Sequence, residues 1–158
     1  MATLRPTRVR RLLAMLALVP ALSACVIVTG PDDDDDDLDR NWRRWEASFV
    51  DHYDYTVRRQ CFCGFEVTEP VRVYVRFGRV VDLRYVSDGA PVPYAYAHLF
   101  PSIDGLFDIV DDAVHGGADD VDVRYDASLG FPRQIDIDYR RNAQDDELFI
   151  EAYALIER

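Results

Sequence analysis

Between Val71 and Tyr85 the chain alternates apolar and polar residues with a period of two, and this constrains its fold more than any other feature. Val71, Val73, Val75 and Phe77 alternate with Arg72, Tyr74 and Arg76, and Val81, Leu83 and Tyr85 alternate with Asp82 and Arg84. Successive side chains of a strand point to opposite faces, so one face here is apolar and the other charged. Gly78 between the two runs permits a tight turn, and the pair reads as an antiparallel hairpin. The same rhythm sets Tyr53, Tyr55, Val57, Cys61 and Cys63 against Asp54, Thr56, Arg58 and Gln60. It recurs at Val121, Val123 and Tyr125, and at Ile135, Ile137 and Tyr139, and a last strand is expected near 147–156.

A helical period interrupts this pattern twice. Leu38, Trp42, Trp45 and Phe49 form one stripe, predicting a helix over roughly 38–51 capped by Asp37 or Asp39. Ile103, Leu106, Phe107, Val110 and Val114 form a second, with Ser102 as N-cap and His115-Gly116-Gly117 as the stop. Residues 87–101, rich in Gly, Pro and Tyr, read as a connecting loop. The expected fold is α+β, a single antiparallel β-sheet of about six strands with two helices on one face, in the order α-βββ-α-βββ. That order raises the prospect of a two-fold repeat, although the halves share no residue-level identity.

The first 24 residues do not belong to this domain. Arg5, Arg8, Arg10 and Arg11 precede an apolar run, Leu12–Leu22. Eleven residues are too few for a bilayer-spanning helix, which needs about 20, but they suit a signal peptide. Leu22-Ser23-Ala24-Cys25 resembles the bacterial lipobox, in which the cysteine sulfur is acylated and the chain is cut just before it. The competing reading is an uncleaved signal anchor, because Val26–Val28 prolong the apolar run. Lipidation at Cys25 places the domain outside the cytoplasm, on the cell envelope, with the membrane as its first partner. Val26 after the cysteine favours the outer membrane over the inner. Gly30-Pro31 and the six carboxylates Asp32–Asp37 then read as an extended, disordered stalk over 25–37. A calcium loop is the alternative for that run, but an unbroken row of aspartates lacks the spacing of such a loop. The folded domain is expected over 38–158.

Charge narrows the choice of partners. The chain has 18 basic and 29 acidic side chains, and every basic one is Arg. With 1–24 removed, 14 basic groups remain and the formal charge falls to −15. A surface so acidic repels nucleic acid phosphates, so no nucleic acid partner is expected. The charged sheet face, carrying Asp54, Arg58, Arg72, Arg76, Asp82, Arg84, Asp122, Arg124, Asp136, Asp138 and Arg140, reads as an ordinary solvated surface or as a recognition surface for an envelope protein or polymer.

Cys61-Phe62-Cys63 is the pair most open to chemistry. Once Cys25 is acylated, two thiols remain in a compartment that permits disulfides. Residues i and i+2 of a strand lie roughly 6.7 Å apart, at the upper limit of a disulfide's reach, about 4.4–6.8 Å. A bond therefore requires a bend, which Gly64 allows. Structural disulfide, buried thiols, redox pair and soft-metal site are the readings, in that order. His52, His98 and His115 lie at no ligand-like spacing from the pair. No metal, cofactor or catalytic residue is assigned. Ser128 lacks a neighbouring base, and Asp136 with Asp138, which a hydrolase would need, share only a strand face. Asp126, Gly130 and Pro132 read as a structural turn, and Asp145-Asp146-Glu147 as a solvated one with calcium binding as the alternative.

Trp45, Tyr53-Asp54-Tyr55, Cys61-Phe62-Cys63, Val71-Arg72-Val73 with Gly78, Ile103–Phe107, Tyr125-Asp126 with Gly130-Phe131-Pro132, Asp136-Ile137-Asp138 and Asp145-Asp146-Glu147 occur in one order. This arrangement resembles the bacterial domain-of-unknown-function family 6174 over about residues 41–155. The resemblance implies a secreted protein or lipoprotein with one whole domain, and it implies no activity, substrate or cofactor. The functional expectation is a membrane-anchored, non-enzymatic binding or envelope-assembly lipoprotein. The alternative is a redox or metal-handling lipoprotein acting through Cys61 and Cys63.

Overall fold

In the computed structural model, residues 31–61, 63–141 and 146–158 are described, with the backbone alone for 31–34. Cys25, the leader and the first part of the stalk lie outside the described residues, as does Asp145. Ten elements follow one another: α1 (Pro31–Glu46), β1 (Tyr53–Gln60), α2 (Phe65–Thr68), β2 (Val71–Arg76), β3 (Arg79–Tyr85), a 3-10 helix (Tyr94–Leu99), α3 (Ile103–Gly116), β4 (Asp120–Tyr125), β5 (Pro132–Asp138) and β6 (Glu147–Glu157). The six strands form one sheet in the order β3-β2-β1-β6-β5-β4, and every pairing is antiparallel. The fold is α+β, in the expected order of long helices and strands, with α2 and the 3-10 helix as two short additions.

The two-fold repeat does not hold. β1 lies at the centre of the sheet beside β6, whereas β4, its counterpart in the second half, is an edge strand. The first three strands run from centre to edge and the last three from edge to centre, so the halves are not equivalent.

The inward rows of the sheet pack against the helices in a single core. Tyr53, Tyr55, Val57, Val71, Val73, Val75, Ile135, Ile137 and Ile150 meet Leu38, Trp45, Ile103, Leu106, Phe107 and Val110 there. Aromatic edges set the fit, with Trp42 against Phe107 at 4.7 Å and Trp45 against Tyr53 at 5.5 Å between ring centroids. At the entry to α3, the Ser102 hydroxyl accepts a hydrogen bond from the Gly105 amide, as its N-cap role requires. The buried Tyr53 hydroxyl accepts from the Ile103 amide, and the Tyr55 hydroxyl donates to the Pro101 carbonyl at 2.5 Å. Burial holds both phenols well above their ordinary pKa, so they remain neutral hydrogen-bonding groups. Gly117 closes α3 in the left-handed conformation.

Three expectations are corrected. First, α1 begins at Pro31, so the aspartate run continues into a helix and is not an extended stalk. Proline suits the first helical position and carboxylates suit the positive end of the helix dipole, which offsets their mutual repulsion. Second, α1 ends at Glu46, and Phe49 is 89% exposed with φ 54. The chain must reverse there to enter β1, which takes Phe49 off the apolar stripe. Third, the strand containing Tyr53–Val57 is buried on both sides, so Asp54 and Thr56 are not solvated.

Phe77 and Gly78 both adopt positive φ between the paired residues Arg76 and Arg79, the two-residue turn that matches strand twist. Gly130 is held more tightly. Its φ is +82, and a Cβ there would lie 2.6 Å from the Asn41 carbonyl of α1. Gly130→Ala is therefore expected to cost about 2–4 kcal/mol by combining left-handed strain with a clash against backbone. A chemical denaturation midpoint unchanged from the parent would contradict this packing.

Candidate functional site

The face of the sheet away from α1 and α3 carries the chemistry, and the strand register shows how it is laid out. Thr56 pairs with Arg72 and Tyr153, and Arg72 pairs with Arg84. One step along, Arg58 pairs with Glu151, Glu151 with Gln134, and Gln134 with Arg124. The next row is Gln60, Phe149, Asp136 and Asp122, and the last brings together Glu147, Asp138 and Asp120. The first two rows thus carry the arginines, while acid gathers at one corner of β4, β5 and β6.

A β-bulge adds a further arginine. Tyr125 pairs with Pro132, but Arg124 pairs with Gln134, leaving Arg133 as the extra residue on β5. A bulge re-aims side chains that strict alternation would keep apart. Arg133 and Gln134 consequently line one open groove of about 610 Å³ together with Arg58, Arg124, Tyr125, Glu151, Ala152 and Tyr153. Arg58 meets Glu151 at 2.5 Å, yet its Nε is buried without a hydrogen-bond partner. Among the described residues, Arg124 and Arg133 have no carboxylate within ion-pair distance. Beside the groove, Asp126 closes the β4–β5 turn by accepting from the Ser128 and Leu129 amides and from the Ser128 hydroxyl. Burial raises its pKa, but these hydrogen bonds and the Arg133 charge outweigh that and hold it below the usual value. Ser128 is thus a turn residue, as expected, and Asp126 its hydrogen-bond acceptor.

Asp54 sits further along the same face. Its side chain is only 3% exposed, and it accepts from Arg76 Nη1 at 2.9 Å and from Arg158 Nε at 2.6 Å. Arg76 also donates to the Tyr53 and Val75 carbonyls, and the Arg158 amide donates to the His52 carbonyl. Arg158 is therefore stitched to β1 and the residue before it.

Cys61 and Cys63 form a disulfide with a Cα separation of 5.2 Å. β1 ends at Gln60, so the bend required of an i, i+2 bond lies just beyond the strand. Cys63 is exposed and Cys61 half-buried. The oxidised sulfurs are not thiolates and offer no metal ligands. Among the described residues no group of three or more His, Cys, Asp or Glu is placed to hold a metal ion, and no helix is long and apolar enough to cross a membrane. Asp136 and Asp138 lie at the acidic corner, where the Asp138 carboxylate accepts the Arg140 amide.

The arginine-lined groove was not evident in the sequence: Arg58 and Arg124 are expected on the open face, whereas Arg133 reaches it only through the bulge. Pro132 at the start of a strand is the local signal that alternation is displaced there.

A family model matches residues 37–157, which take in most of α1 and the strands through β6. The chain belongs to the family of unknown function DUF6174. No curated protein and no solved structure matches it. The DUF6174 match spans both the disulfide and the groove, so both lie within one family domain.

Proposed function

We propose that this DUF6174 protein is a lipoprotein, acylated at Cys25 and displayed outside the cytoplasm, that acts as a non-enzymatic binding or envelope-assembly module through its open sheet face. The observation that carries this reading is the one-sidedness of the sheet. Its inner face is sealed by α1 and α3, whereas the outer face presents ordered rows of charge around a groove. A rigid sheet holds such groups in fixed register, which favours recognition. α1 begins six residues after Cys25 in the sequence and is ~24 Å long.

Photoreactive residues at Gln134 or Arg124, compared with Asp108 or Asp112 on the exposed side of α3, test this in the full chain in cells. Discrete adducts from the sheet positions alone are expected. Adducts from α3 alone, or from neither surface, would overturn the reading.

The exposure of Cys63 favours a second reading, a redox role for the Cys61–Cys63 pair. Alkylation and mass measurement of protein taken directly from cells separates the two. A permanently oxidised pair supports the binding module, and a mixed population supports redox cycling.

A further inference from the structure

We infer that the groove on the open sheet face is a binding site for a phosphate-bearing ligand, held by Arg58, Arg124 and Arg133. The inference rests on the sheet face being the working surface and names the ligand class it takes. Three guanidinium groups and one carboxylate, Glu151, line this groove, for a local formal charge of +2. The chain as a whole carries −11. A concentration of positive charge on so acidic a protein does not follow from composition. It arises because three strands deliver arginines to one place: Arg58 from β1, Arg124 from β4 and Arg133 from the β5 bulge, with Glu151 of β6 between them.

The charge balance selects the ligand. A single carboxylate leaves the groove positive, whereas a phosphate monoester, close to −2 at neutral pH, neutralises it. Guanidinium groups match phosphate oxygens in a bidentate fork, which makes arginine better suited than lysine to this task. The space of about 610 Å³ exceeds what a bare phosphate requires and falls within the range of small-molecule sites. Tyr153, half-exposed at the rim, offers an aromatic surface to whatever carries the phosphate.

Free pyrophosphate, a sugar phosphate and a phospholipid headgroup share this chemistry. The test therefore titrates the full chain in neutral detergent with pyrophosphate and with glucose 6-phosphate, and measures co-sedimentation with phosphatidylcholine vesicles with and without phosphatidic acid. Saturable binding to at least one of these is expected, and the one that binds identifies the source. Arg124→Ala and Arg133→Ala, both at exposed positions, should each weaken binding about tenfold, with Arg133→Lys recovering only part. Arg79→Ala removes the same charge outside the groove and should leave binding unchanged. Absence of saturable binding to all three probes overturns the proposal, as does an equal loss in Arg79→Ala. A failure here with sheet-face adducts intact in cells removes the phosphate site and leaves the binding module. Groove binding without sheet-face adducts removes the module and leaves the site.

Discussion

Replacing Arg76 and Arg158 together by alanine is expected to destabilise the domain by about 3 kcal/mol, lowering its melting temperature by roughly 10 °C. Asp54 would then keep its place in the central strand, between Tyr74 and Ile156, with no cation to balance it. A buried carboxylate stripped of its partners retains the full cost of its desolvation. The value lies at the low end of the range for broken buried pairs because Arg76 is 33% and Arg158 49% exposed, so solvent already screens them. Either single substitution should cost about half as much or less, since the remaining guanidinium still reaches the carboxylate. In an Asp54→Asn background the same double change should lose most of its effect, because the charge requiring balance is gone. A double variant within 0.5 kcal/mol of the parent (roughly the error of the comparison) would show that Asp54 is not held in this way.

Trp45→Ala is expected to cost about 3–5 kcal/mol, the larger of the two effects. Trp45 joins α1 to both ends of the fold. Its indole packs edge-on against Tyr53 of β1 and Phe131 before β5, and its Nε1 donates to Asp104 Oδ1 of α3 at 2.7 Å. The alanine variant opens a cavity and leaves Asp104 without this donor. Trp45→Phe keeps most of the packing and loses the hydrogen bond, so a loss of about 1–2 kcal/mol is expected, as measured by denaturant titration. Equal losses from the two variants would mean that the ring volume contributes little.

Alternation along β2 and at Ile135 and Ile137 of β5 fixes which faces are apolar, and the Ser102 cap with its Gly116-Gly117 stop fixes α3, because each is written in a short stretch of chain; in β3 a bulge takes Val81 out of the expected alternation and leaves it exposed. What the sequence does not reveal depends on partners distant in it. Asp54 and Thr56 look like solvent-facing residues, yet both are buried, in a strand flanked by β2 and β6, and the Arg76 and Arg158 side chains lie against Asp54. The partners of Asp54 come from 22 and 104 residues away, a separation that periodicity does not encode. The Leu38–Trp45 stripe is visible as a helix, whereas the point where α1 must end to let the chain turn back is set by the position of β1. Of the four readings the Cys pair allows in sequence, the structure carries the first, a Cys61–Cys63 disulfide. The groove depends on a one-residue bulge, which shifts Arg133 relative to Arg124 and is visible only once the strands are paired.

Intact mass measurement of the full-length gene product, extracted from bacterial membranes, tests the location on which the proposed role depends. The account predicts a chain beginning at Cys25 with the mass of a diacylglycerol group and an added acyl chain, and a Cys25→Ala variant lacking both the lipid and the cut. A product recovered from the cytosol with Met1–Ala24 still attached would contradict it.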